Sequence, residues 1–410
     1  MGLNDTPRGE RLHIALFGRR NAGKSSVINA LTNQNIAIVS EQKGTTTDPV
    51  YKAMEILPLG PVVLIDTPGI DDEGDLGKLR ISKAKEVLGK TDVVLLVVDG
   101  RMGFSEFEDS LLKELQERKI PAMILLNKID LMEENHQKFA DALKQKYQVP
   151  VLSVSAIGKR GIEEVKNQLG AFAPEEEEKR IVSDLIAPSD FVVLVVPIDS
   201  AAPKGRLILP QQQTIRDVLE SDATAIVVKE TELRNTLDHI GKKPKMVITD
   251  SQAFSKVSKD TPDDILLTSF SILFARYKGE LYDLVKGAKK IDELQDGDKI
   301  LMAEGCTHHR QCDDIGTVKL PKWILEYTGK RLEFETSSGM GFPEDLSKYA
   351  MVVHCGACTL NQKEMKNRIR RAKEQEVPIV NYGIMIAYIK GILKRSLEPF
   401  PAILALLEKK

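Results

Sequence analysis

Four short segments carry charged and small residues at spacings suited to phosphate and purine chemistry. They are Gly18-Arg-Arg-Asn-Ala-Gly-Lys-Ser25, Asp66-Thr-Pro-Gly69, Asn127-Lys-Ile-Asp130 and Ser155-Ala156. In the first, glycines let backbone N–H groups close around phosphate oxygens at a helix N-terminus, where the dipole favours anions. Gly18, Ala22, Gly23 and Ser26 supply that backbone, Lys24 is expected to reach the β- and γ-phosphates, and the Ser25 hydroxyl to sit on Mg²⁺. Asp66 would hold the same metal through water, and Gly69 would offer its N–H to the γ-phosphate. Asp130 can accept from guanine N1 and N2, a pairing adenine does not offer, while Asn127 reads O6 and N7 and Lys128 lies flat beside the ring. With Ser155 and Ala156 completing the order, the set specifies GTP and GDP.

Such groups need rigid strands behind them. Leu12 to Phe17 reads as a buried parallel strand and Ser25 to Leu31 as the helix that follows. Val62–Ile65, Val93–Val98, Ala122–Leu126 and Val151–Val154 are short, unalternating apolar runs, the pattern of a parallel sheet covered on both faces. The acidic run after Pro174 marks a linker. A second α/β block follows, with strands at Asp190–Pro197, Thr224–Val228 and Lys245–Thr249 and a helical pattern over Gln211–Ser221. It shows no catalytic pair, which leaves oligomerisation or docking as its role. Lys204-Gly205-Arg206 reads as a surface turn. The predicted architecture is α/β: a P-loop GTPase domain with a mixed, mostly parallel sheet over 1–173, then two further α/β domains with parallel sheets over 180–265 and 266–410.

Two features bear on hydrolysis. Ile70 follows Gly69 where a water-orienting Gln would be expected, so that route is missing. Asn21 lies three residues before Lys24. Its plainest role is a turn residue that tolerates left-handed backbone. In this position it also resembles the GTPase branch of the tRNA-modification and ribosome-assembly enzymes, which implies that Asn21 helps hold a potassium ion. Such a cation would offset charge developing between the β- and γ-phosphates. Gly44-Thr-Thr-Thr-Asp48 resembles the first switch of that branch, implying Thr46 as an Mg²⁺ ligand with Thr45 as the substitute. Turnover is expected to be slow and stimulated by potassium. The glycine-bearing acidic stretch Asp71–Leu79 reads as the second switch.

The third block holds all four cysteines. The strand Lys299–Ala303 runs into Cys306-Thr-His308-His309, and Tyr349–Val353 runs into His354-Cys355-Gly-Ala-Cys358. Both groups would stand at the C-terminal edge of an open sheet, where crevices form. Gly356 is expected to keep the turn tight, and a helix to begin near Gln362. Three thiolates and two or three imidazoles suit an iron–sulfur cluster or structural zinc; a redox pair would use Cys355 and Cys358 alone. Disulfides are disfavoured in so cysteine-poor a chain.

Taken with the potassium-type GTPase segment, Cys306-Thr-His308 followed by His354-Cys355-Gly-Ala-Cys358 resembles the HydF family along the full length. HydF proteins are GTPases that serve as scaffold and carrier in maturation of FeFe-hydrogenase. The resemblance implies a 4Fe-4S cluster on Cys306, Cys355 and Cys358 with one exchangeable iron site, and a transient two-iron precursor. His308, His354, Cys312, Asp313 or an outside ligand are the candidates for the fourth position, and either histidine serves equally as a donor to a thiolate. Implied partners are apo FeFe-hydrogenase, radical-SAM maturases and further copies of the chain, as a homodimer or higher oligomer. The rival from the residues alone is a zinc-stapled regulatory GTPase.

Composition agrees with this picture. Lysine and arginine number 58 against 60 acids, a net charge of −2, so nothing electrostatic argues for nucleic acid. No apolar run approaches the ~20 residues of a membrane span, and the N-terminus has no apolar signal region. A cytoplasmic protein is expected.

Overall fold

The computed structural model describes residues 6–32, 49–57, 59–69, 83–84, 86–132, 136–172, 180–198, 207–305, 314–339 and 341–408. They form two compact units, residues 1–177 and 178–410.

The first unit is built on six strands: β1 (Leu12–Phe17), β2 (Val50–Ile56), β3 (Gly60–Asp66), β4 (Val93–Asp99), β5 (Ala122–Asn127) and β6 (Val151–Ser153). Their order is β2-β3-β1-β4-β5-β6, with β2 antiparallel to β3 and the other neighbours parallel. The apolar runs sit where both faces are covered: Val62 to Ile65 and Val93 to Val98 are at most 1% exposed. Each such side chain contributes roughly 1.5–3 kcal/mol by leaving water. Two apolar clusters, one on each face of this sheet, take up alternate side chains of β1, β3, β4 and β5. Helix Lys24–Thr32 follows β1, as the sequence indicates.

The second unit carries two parallel four-stranded sheets. Strands β7 (Phe191–Val195), β8 (Thr224–Val228), β9 (Met246–Thr249) and β10 (Leu266–Ser269) lie in the order β10-β9-β7-β8. Strands β11 (Lys299–Glu304), β12 (Glu333–Ser338), β13 (Met351–His354) and β14 (Ile379–Asn381) lie in the order β12-β11-β13-β14. Their apolar core is continuous: one cluster runs from Val192 and Ile248 of the first sheet through Phe270–Ala275 to Ile300, Val353 and Val380 of the second. Helix Leu281–Lys289 lies against β14 at Gly287, where a Cβ would collide with the Ile379 carbonyl. Among the described residues no helix is long and apolar enough to cross a membrane.

Candidate functional site

All four nucleotide segments stand at the C-terminal ends of strands of one sheet, β1, β3, β5 and β6, the edge where an open α/β sheet forms its crevice. The loop after β1 carries Gly18 to Gly23, and Lys24, Ser25 and Ser26 form the first turn of helix Lys24–Thr32. The Lys24 ammonium is buried and donates to the Gly18 carbonyl at 2.9 Å and the Arg19 carbonyl at 3.1 Å. This holds the loop curled around its own lysine. Asn21 sits in the left-handed region, φ +59°, as its plain turn role requires, and its side chain is exposed. Gly23 needs both its φ of +97° and its missing Cβ, which would strike the Asn127 amide.

Asp66 ends β3 and accepts the Ser25 hydroxyl at 2.8 Å. Burial raises its pKa, with the Ser25 hydrogen bond and the Lys24 charge acting the other way. Its Oδ1 is buried and, among the described residues, receives no hydrogen bond. A hydroxyl beside a carboxylate with a spare buried oxygen fits a small hard cation such as Mg²⁺. Gly69 lies against the Arg20 backbone, which seats the Asp66–Gly69 segment on the phosphate loop. Thr45, Thr46, Ile70 and Asp71–Leu79 fall outside the described residues.

Asn127, 2% exposed, donates from Nδ2 to the Ala22 carbonyl at 3.0 Å and accepts the Ala156 N–H at Oδ1, 3.1 Å. Its amide therefore braces the phosphate loop to the Ser155-Ala156 loop. Lys128, at φ +65°, reaches back over the phosphate loop to the Asn21 carbonyl and to the Asp99 carboxylate at 2.7 Å. Burial pushes the Asp99 pKa up, but hydrogen bonds from Arg101 and Lys128 outweigh it and hold the group at about 2. Asp130 is exposed, and the hydrogen bond from Ser155 keeps its carboxyl below the ordinary range. It is an ionised acceptor available to a base. Sequence reading missed two supports. One is Asp99, whose signal was a lone carboxylate ending an apolar strand. The other is fully buried Glu108, which accepts Arg19 Nε at 2.8 Å and also the Ser105 backbone N–H at 2.9 Å.

The cysteine region stands at the C-terminal edge of the third sheet. β11 and β13 are parallel neighbours, Ala303 opposite His354, so the chain leaves the sheet at Gly305 beside Cys355. Gly305, the residue before Cys306, donates its N–H to Cys355 Sγ at 3.0 Å, and Ala357 donates at 3.4 Å. N–H groups aimed at a sulfur stabilise negative charge on it. Cys355 and Cys358 are partly exposed. Soft sulfurs with backbone donors around them fit an iron–sulfur or zinc centre. Cys306, His308, His309, Cys312 and Asp313 lie outside the described residues, and among the described ones no group of three ligand side chains comes together.

Two expectations are corrected here. The left-handed position of the Cys355–Cys358 turn is Ala357, φ +53°, at a cost of roughly 1 kcal/mol for a residue with a Cβ. A Cβ at Gly356 would meet nothing within 4 Å, so the turn does not need that glycine. His354 does not offer a metal a nitrogen. It is fully buried, with Nδ1 2.8 Å from the Cys355 carbonyl and Nε2 2.9 Å from Arg368 Nη1. Arg368 donates to Nε2, so the proton sits on Nδ1 and is given to the Cys355 carbonyl. Burial, then the Arg368 charge, lower its pKa to about 3. Helix Gln362–Glu374 begins as expected, capped by the Asn361 side chain on the Glu364 N–H at 2.9 Å. Beneath the turn, buried Lys278 donates to the carbonyls of Ala357 (3.4 Å), Cys358 (3.1 Å) and Leu360 (3.0 Å).

Comparison with known proteins falls into two parts. Over the first unit, residues 13–128 match the family described as 50S ribosome-binding GTPase. GTPase Der of Xanthomonas axonopodis pv. citri (strain 306) is 37% identical over 171 residues, 40% of this chain and 35% of the relative. The tRNA modification GTPase MnmE of Clostridioides difficile (strain 630) is 27% identical over 233 residues, 57% of this chain and 47% of the relative. The chain thus spans less than half the length of these curated relatives. A solved structure of an Aquifex aeolicus Era variant bound to GDP.AlF4- is 20% identical with a TM-score of 0.37, covering 56% of this chain and 98% of that one. Over the second unit, residues 181–279 match the hydrogen maturase F dimerization domain and residues 282–399 its tetramerization domain. These two matches together take in more than half of the chain, directly behind a GTPase domain, and by them the chain belongs to the hydrogen maturase F (HydF) family.

Proposed function

We propose that this protein is a GTP-hydrolysing scaffold that carries an iron–sulfur cluster and delivers a two-iron precursor to apo FeFe-hydrogenase. The observation that carries the reading is the pairing of β11 with β13. It brings the residue before Cys306 into a 3.0 Å hydrogen bond with the sulfur of Cys355 at one sheet edge. Cys306, Cys355 and Cys358 would hold a 4Fe-4S cluster; when bound, it supplies an iron site open to exchange, since three thiolates leave the fourth position unfilled. With His354 committed to Arg368 and the Cys355 carbonyl, His308, Cys312, Asp313 or an outside ligand take that position.

On the nucleotide side, Ser25 and Asp66 hold Mg²⁺, with Thr46 (or Thr45) completing it from the first switch. Asp130 selects guanine, and Asn21 contributes to a potassium site that raises an otherwise slow rate. Nucleotide state acts through Asp71–Leu79 on contact with the hydrogenase and the radical-SAM maturases, and further copies of the chain assemble through residues 180–410. The domain division 1–173, 180–265 and 266–410 is part of this reading, as is a cytoplasmic setting.

Anaerobic reconstitution with iron and sulfide, followed by EPR of the reduced protein, tests it. A 4Fe-4S signal lost in Cys306→Ser and shifted by added cyanide or imidazole supports a cluster with an exchangeable iron. Colourless protein holding one zinc, with no such signal, rejects it. GTP turnover equal in potassium and sodium, and unchanged in Asn21→Ala, would remove the potassium site.

A further inference from the structure

Lys278 ends helix Phe270–Lys278, the helix that directly follows the last strand of the middle sheet, and it lies within the part of the chain that matches the dimerization domain. Its side chain is 2% exposed. A buried ammonium is costly unless its donors are satisfied, and here three of its acceptors come from one four-residue stretch, the carbonyls of Ala357, Cys358 and Leu360. That stretch contains one cysteine and follows another. It also contains Ala357 in its left-handed conformation, which must be held by its surroundings. Two neighbours of Lys278 reinforce the attachment. The Tyr277 carbonyl accepts Gln362 Nε2 at 3.2 Å, and Gly279 abuts the Ile369 side chain.

We infer that Lys278 is the positioning residue of the Cys355–Cys358 turn, a cationic latch through which the helix after β10 fixes the geometry of the sulfur ligands. This rests on the iron–sulfur reading above and extends it. A thiolate-ligated cluster is net negative, and a fixed buried cation behind its ligand loop offsets that charge where water cannot. Another buried cation, Arg368, also 2% exposed, serves the same loop by holding His354 and, through it, the Cys355 carbonyl. Lys278 thereby ties the segment that matches the dimerization domain to the segment that carries the cysteines.

The test compares Lys278→Met, Lys278→Gln and Lys278→Arg in the full chain. In metal-free protein, hydrogen exchange at residues 355–360 is expected to quicken roughly tenfold or more in Met, in part in Gln, and little in Arg. After reconstitution with iron and sulfide, Met and Gln should lose iron to a chelator faster, and their midpoint potential should move negative while Arg keeps its value. Exchange, iron retention and potential all unchanged in Met overturn the latch. Should Met and Gln fail to fold, the wild-type protein decides: the amides of residues 357–360 must open together with the last turn of helix Phe270–Lys278. If they exchange like a free loop, the inference falls. Failure of wild-type protein to assemble any cluster refutes the iron–sulfur reading instead, whatever the exchange rates show.

Discussion

Asp99 shows how a single carboxylate organises the nucleotide edge. It terminates β4 and binds Arg101 through both oxygens and Lys128 through one. Asp99→Asn should free Lys128 to wander and weaken guanine-nucleotide binding by about tenfold, measured by titration with a fluorescent GDP analogue. The sign of the pH effect follows from the depressed pKa. Asp99 contributes its full stabilisation above the unfolded carboxyl pKa and loses it as pH falls through about 2. Wild type should therefore lose about 2 kcal/mol more than Asp99→Asn between pH 5 and pH 2 in denaturant melts. Arg19 poses the converse case. Removing its charge takes the cationic partner from fully buried Glu108, so Arg19→Met should cost about 3 kcal/mol in the same melts. None of this is visible in the motif, because the motif records what touches the nucleotide and omits what holds those residues still.

Strands were most legible where an apolar run stands inside its sheet, although the edge strands Val151–Ser153 and Thr224–Val228 were also readable. β1, β3, β4, β5 and β7 carry unbroken apolar runs and stand inside their sheets. β2 and β12 are edge strands: Val50-Tyr-Lys-Ala-Met-Glu-Ile56 is broken by Lys52 and Glu55 and Glu333–Ser338 is largely polar, so neither announces itself by hydrophobicity. β10 and β14 are four and three residues long and run directly into helices, leaving no turn signal to mark them. The placement of Cys355 and Cys358 beyond a sheet edge was readable because β13 is interior and parallel to its neighbours. The occupant of the left-handed turn position was not, since alanine there gives no sign. Helix packing adds a testable inversion. Gly287→Ala in a helix interior ordinarily stabilises by about 1 kcal/mol, but here the new methyl meets the Ile379 carbonyl. Thermal melts should show Gly287→Ala destabilised by about 1–3 kcal/mol, with the third sheet loosened first.

At the scale of the whole molecule, the cores divide the chain unevenly. Among the described residues, the clusters around β1 to β6 draw on residues of the first unit, so a fragment of residues 1–172 should fold and bind GDP with an affinity within a few-fold of the full chain. The second unit behaves otherwise. Its core joins two sheets, and a cut between 279 and 282, where the two family matches part, would open that cluster to water. Fragments 180–279 and 282–408 should fail to give dispersed NMR spectra separately, while 180–410 folds as one cooperative body. Two well-behaved separate fragments would contradict the continuity of the core. The order of strands in the third sheet has a consequence for biosynthesis. β13 is flanked by β11, made about fifty residues earlier, and by β14, made about thirty residues later. A ribosome therefore releases Cys306 well before its sheet has a middle, and the sulfur edge is complete only after Asn381 has emerged. By then the guanine-nucleotide unit, finished near Gly170, has had time to fold ahead of it. Newly made chains would complete the nucleotide sheet first and the Cys355–Cys358 edge last.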